Sequence, residues 1–281
     1  MTLTPARGAA ARVPDLAAAS PSPGLALRTV GEFGLTAVLL LSVVTGVRWL
    51  FAPDGYGGGG VAFAVLGAGV GALLGVLMLS APGRCSGGHL NPAVTLALWR
   101  LGVFPGRDVV PYVVAQLGGS VAGTWLAGLL WGPVVSRPPV GHAVVRPGPG
   151  WGEGAVVAAE AGVLAGSTLL LAGLLARPVG RRLLPYTVGL VTALVIAVLG
   201  PLSGGSANPA RQFGPALLSG EVGRLWVYVV GPVLGAVGGA GLARVLRTRR
   251  GAGLRTRLRK RSVPALRKRS GAGFGGRPGA A

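Results

Sequence analysis

Charge is scarce in this chain, and so are the side chains from which enzymes are built. Only 12% of its 281 residues are charged, and seven are acidic. A soluble globular protein carries about 25%, so this chain cannot clothe a water-facing surface. The one cysteine, Cys85, excludes an internal disulfide and says nothing of redox compartment. Two histidines, His89 and His142, are too few for a metal cluster. Both lysines, Lys260 and Lys268, sit near the C-terminus, which excludes a phosphate-binding P-loop. No Ser/His/Asp arrangement stands out. The composition argues against an enzyme and implies no cofactor and no metal.

What is present is apolar. Hydrophobic residues make up 51% of the chain, and mean hydropathy is +0.62. Six long apolar segments, at roughly 29–51, 61–81, 109–131, 154–176, 184–200 and 224–246, approach or exceed the roughly 20 residues that cross a bilayer. Two shorter runs, 91–101 and 208–219, would make helices about 15–18 Å long at 1.5 Å per residue, half a bilayer each. Glycine is abundant, at 52 residues. Gly119 and Gly123, and Gly231, Gly235 and Gly239, have the four-residue spacing that lets membrane helices approach closely. The chain is a multi-pass membrane protein with an Ala/Pro-rich, unstructured segment at 1–27.

Basic residues set the expected orientation. Arg84 lies in the second connector, Arg177, Arg181 and Arg182 in the fourth, and the loop at 52–60 has no basic residue. Thirteen Arg/Lys and no acids follow from Arg244 to the end, giving most of the net charge of +20. Both termini are therefore expected in the cytoplasm of a cell-membrane protein. The basic tail, 248–281, is expected to be unstructured and to meet anionic lipids rather than nucleic acid, because it directly follows a span.

One motif occurs twice. "SGGHLNPAVT" begins at Ser86 and "SGGSANPARQ" at Ser203, with Asn91 and Asn208 117 residues apart. Asn is a preferred helix N-cap and Pro a preferred first helical residue. Each motif therefore predicts a loop that re-enters the membrane and starts a half-helix, a geometry tolerated at depth only in protein or beside a water-filled cavity. The halves match elsewhere too, with Glu32 in the first span and Glu160 in the fourth. Each half offers three spans, an odd number, so the second must insert upside down. Repeat one covers about 29–131 and repeat two about 154–246.

With "SGGHLNPAVT" and "NPARQFGPA", residues 28–247 resemble the aquaporin and glycerol-facilitator family of membrane channels. The resemblance implies an all-α bundle of six transmembrane helices and two re-entrant half-helices, assembled as a homotetramer with one pore per subunit. It implies that Asn91, Pro92, Ala93, Asn208, Pro209 and Ala210 meet mid-membrane, where each asparagine caps its helix and leaves NH₂ donors for a passing molecule. Arg211 would stand at the narrowest point. The remaining filter positions fall by spacing on Gly205, Ile196 and either Gly69 or Gly71, the last ambiguous because "APGRC" carries extra residues. Glu32 and Glu160 either relay protons or accept backbone donors from the re-entrant loops, and the resemblance favours the second. His89 is expected to brace its loop and line a vestibule. A filter without Phe and His, and with Gln212 where glycerol channels have Asp, most resembles the nodulin-like channels of plants. The expected function is a passive channel for water and small uncharged solutes. The alternatives are a proton-coupled transporter and a non-conducting scaffold.

Overall fold

The computed structural model describes residues 23–56 and 58–269, with side chains described as far as Arg249. Among the described residues six helices are long and apolar enough to cross a membrane: α1 (Leu25–Phe51), α2 (Gly59–Leu79), α5 (Val109–Trp131), α6 (Glu153–Leu175), α7 (Pro178–Leu199) and α9 (Leu225–Arg269), the last over its first 25 residues. Between them lie three short helices, α3 (Ala81–Ser86), α4 (Pro92–Arg100) and α8 (Pro209–Ser219). Two of these, α4 and α8, are the half-helices expected from the repeated motif. The helices expose Val61, Val76, Val110, Leu129, Leu190 and Leu194. So much exposed apolar surface suits hydrocarbon and not water.

Helix α1 packs along α5, α6 along α9, and α2 along α7. The first two pairs are the same contact made in each half. A Cβ added at Gly123 would overlap the Ala37 carbonyl, and one added at Gly235 the Ala161 carbonyl. Two backbones thus touch through equivalent glycines, where lipid supplies no hydrophobic force to press helices together. A cavity of roughly 290 Å³ runs between the halves, walled by α1, α2, α6 and α7 and by both re-entrant segments.

Two expectations need correcting. Helix α7 begins at Pro178 rather than 184, because proline is suited to the first helical turn. The tail from 248 is not unstructured over its described length. Helix α9 continues to Arg269, through a stretch rich in arginine, a good helix former, although Gly251, Gly253 and Pro264 lie within it. Residues 1–22 and 270–281, which hold the rest of both expected unstructured segments, lie outside the described residues, and α1 already begins at Leu25.

Gly235→Leu should cost about 1–3 kcal/mol through overpacking, while Gly69→Leu, on an exposed face with nothing near its Cβ, should cost little. Thermal unfolding in detergent measures both, and equal midpoints would contradict the packing.

Candidate functional site

The re-entrant loops are built alike. Gly87 and Gly204 turn the chain at φ of +97° and +92°, conformations in which a side chain would be strained. Leu90 and Ala207 follow at φ +48° and +49°, a left-handed geometry that costs a residue with a Cβ free energy unless its surroundings hold it. Buried carboxylates hold it. Glu32 accepts from the backbone N–H of His89 (2.9 Å) and Leu90 (2.8 Å), from the Ser86 hydroxyl (2.7 Å) and from Gln116 Nε2 (2.8 Å). Glu160 accepts from the backbone N–H of Ser206 (3.1 Å) and Ala207 (2.6 Å) and from the Ser203 hydroxyl (3.1 Å). A tyrosine braces each turn from behind: Tyr112 donates to the Ser86 carbonyl and Tyr228 to the Ser203 carbonyl, both at 2.7 Å. Sequence reasoning missed this pair, although Tyr-Val-Val occurs at 112–114 and again at 228–230.

Asn91 and Asn208 cap α4 and α8. Their Oδ1 atoms accept from the N–H of Ala93 and Ala210, each at 2.9 Å. The amide nitrogens cross the junction: Asn91 Nδ2 donates to the Ala207 carbonyl and Asn208 Nδ2 to the Leu90 carbonyl, again at 2.9 Å. The expectation that both NH₂ donors stay free is therefore corrected: one proton of each is used to tie the loops together. One N–H per asparagine is left for the cavity, which both residues line. Pro92, Ala93, Pro209 and Ala210 are buried and form the first turns behind them. The two helix N-termini, each worth about half a positive charge, converge on this junction.

The cavity has two kinds of wall. Gly88, His89, Gly205 and Ser206 line it on one side, and their backbone carbonyls take no protein donor among the described residues. Leu39, Val43, Leu66, Val188 and Val191 line it with hydrocarbon. His89 sets Nδ1 3.1 Å from Thr95 Oγ1 and packs on Phe104 and Tyr112. At the other end Arg211 donates to the Ala143 carbonyl at 2.7 Å. Ile196 and Gly205 lie in the wall, but neither Gly69 nor Gly71 does. Gly69 faces outward with nothing near its Cβ, and Gly71 is pressed against the Gly189 carbonyl of α7. Val70, between them, lines the lumen in register with Phe63, Leu66 and Leu74. A helix turns about 100° per residue, so a one-residue spacing error points a side chain elsewhere. The error comes from α3, whose Ser80 hydroxyl caps it by accepting from Gly83 N–H, and which inserts chain before the first motif.

The connector from α5 to α6 folds over the Arg211 end. Val145 donates its N–H to Gln212 Oε1 (2.8 Å) and accepts from Gln212 Nε2 (3.0 Å). Arg146 pairs with Glu221 through two hydrogen bonds, which hold the Glu221 carboxyl below its usual range against the opposing effect of desolvation. Among the described residues no group of three His, Cys, Asp or Glu could hold a metal ion.

Six spans and two half-helices around one lumen define a membrane channel of the inverted-repeat kind. The major intrinsic protein family model matches residues 22–242, and the chain belongs to that family, whose members are channels rather than enzymes. It is 42% identical to a probable aquaporin of Archaeoglobus fulgidus over 169 residues, 57% of this chain and 67% of that protein. It is 39% identical to an aquaporin of Zea mays, over 59% of this chain and 57% of that one. It is 35% identical to a propanediol uptake facilitator of Citrobacter freundii, over 57% and 71%. The matched stretch thus spans from just over half to about two thirds of the first two relatives. The fold is shared with an aquaglyceroporin from Plasmodium falciparum, at a TM-score of 0.67 and 24% identity over 78% of this chain and 95% of that one.

Glu160→Leu leaves the Ser206 and Ala207 N–H groups unpaired, at about 1–3 kcal/mol each, whereas Glu160→Gln keeps an acceptor and should cost less. Thermal midpoints in detergent should rank wild type, Gln, Leu. A leucine variant as stable as wild type would remove the carboxylate from the account.

Proposed function

We propose that the protein is a passive channel for water and small uncharged solutes of about glycerol size, closed to protons and ions. One observation carries this reading: two cross-tied asparagines each keep an N–H for a lumen lined on one side by loop residues whose carbonyls take no protein donor among the described residues and on the other by hydrocarbon. A polyol can lay its carbons on the apolar wall and its hydroxyls along the carbonyls. At the junction a permeant oxygen accepts from both asparagines, beside two positive helix ends that repel cations, and this breaks a file of hydrogen-bonded water.

The filter is assigned to Val70, Ile196, Gly205 and Arg211. It is narrower than glycine at the α2 position would make it, yet among these four only Arg211 has a polar side chain. Such an opening suits glycerol, urea or a neutral metalloid acid, and the likeness to a propanediol uptake facilitator supports that class. The arrangement of basic residues supports both termini in the cytoplasm and His89 at the cytoplasmic vestibule. The family supports a homotetramer in the cell membrane, and the basic continuation of α9 supports contact with anionic lipid headgroups. The channel domain is assigned to 28–247.

Proton-coupled transport is the second reading. Glu32 spends its acceptor sites on four donors and Glu160 on three, the work of structural carboxylates rather than of a proton relay.

Stopped-flow light scattering of proteoliposomes tests the assignment. Val70→Trp should lower glycerol permeability by about tenfold or more, equivalent to about 1.4 kcal/mol or more in the barrier, and lower water permeability less. Gly69→Trp should leave both near wild type. The reverse pattern would overturn the place given to Val70.

A further inference from the structure

Side chains of α8 and of the turn that ends it tie the connector between α5 and α6 by hydrogen bonds from Arg211, Gln212 and Glu221. Three successive residues, Gly141, His142 and Ala143, have φ of +45°, +54° and +61°. Two of them carry side chains, so this segment is strained and persists only if its surroundings fix it. It is also the segment whose Ala143 carbonyl is the one protein acceptor of the Arg211 guanidinium among the described residues. The orientation of Arg211 in the lumen therefore depends on where the strained segment rests.

Gln212 pins the far end of the segment at Val145, and Gly148 N–H donates to the Leu202 carbonyl at 2.7 Å. The near end has a different tie. The Arg146 side chain turns back so that its guanidinium lies over Gly141, where an added Cβ would meet Nη2 at 2.9 Å. The same guanidinium holds the Glu221 carboxylate with two hydrogen bonds, Nε to Oε2 at 2.8 Å and Nη2 to Oε1. Glu221 is carried to that spot by Gly220, which ends α8 at φ +76°. Arg146 itself lines the mouth of the cavity.

We propose that Arg146 and Glu221 form a positioning latch that fixes the strap 141–146 across the mouth, and with it the pose of Arg211, so that the pair sets how the channel discriminates glycerol from water. The latch rests on the channel reading above. Its members are 43% and 45% exposed, and an ion pair so open to solvent contributes little to global stability. Its effect falls on selectivity.

The test is a double-mutant cycle read as the ratio of glycerol to water permeability in proteoliposomes, with R146Q, E221Q, the double variant and R146K. Each glutamine single should shift the ratio in the same direction by roughly two- to fivefold, the range open to an exposed pair. The double variant should shift it no further, because the partners act as a unit. R146K should fall between R146Q and wild type. Thermal midpoints should stay near wild type throughout, which separates misplacement of the strap from misfolding. A full R146Q effect persisting in the E221Q background would mean that Arg146 acts as a lone charge, and the latch would be overturned. Conducting liposomes whose ratio no variant moves would overturn it as well. Wild-type liposomes no faster than protein-free ones would instead overturn the channel reading, and the latch with it.

Discussion

A backbone N–H group in a bilayer must find an acceptor, because no water is there to serve as one. The two carboxylates, Glu32 and Glu160, answer that need for the two places where this chain leaves helical structure at membrane depth. Each is almost fully buried and each reaches two successive N–H groups of a re-entrant loop. Their grip lets Leu90 and Ala207 hold left-handed conformations, and those conformations aim the half-helices at each other. Take away the acceptors and the junction has no reason to persist.

The lumen follows from that junction. The loop N–H groups are taken by carboxylates and serine hydroxyls, the carbonyls of Gly88, His89, Gly205 and Ser206 take no protein donor among the described residues, and apolar faces of α1, α2, α6 and α7 complete the wall. Each asparagine is fixed by two bonds, one to its own helix and one to the opposite loop, so the remaining N–H has little freedom to turn away. Fixed donors of this kind cost no reorganisation when a solute arrives. The connector over the Arg211 mouth is held in the same manner, by side chains of α8 and its terminal turn acting on strained backbone.

Much of this was legible in the sequence, because repetition carries information that composition does not. The doubled Ser-Gly-Gly and Asn-Pro-Ala elements located both half-helices, and the paired glutamates gave the acceptors. Arg211, Ile196 and Gly205, picked out by spacing, line the cavity. The α2 position was not legible: α3 adds chain between Val70 and Asn91, and spacing cannot say whether one residue or two are extra, while each residue turns the helix by about 100°. The tyrosine braces escaped for another reason. Each lies on a span distant in sequence from the turn it holds, and only the fold brings its hydroxyl to the serine carbonyl. The helical continuation of α9 was hidden by charge, since a run of arginine reads as solvated tail although arginine favours helix.

On the proposed function, Glu32 and Glu160 are fixed structural acceptors in a passive pore and relay no protons across the membrane. Solute uptake measured together with lumenal pH, in the same proteoliposomes and under an imposed pH gradient, tests it most directly. Glycerol should enter faster than in protein-free vesicles, at a rate independent of the size and sign of the gradient, with no added proton flux. Uptake that accelerates with an inward proton gradient and acidifies the vesicle lumen would contradict it.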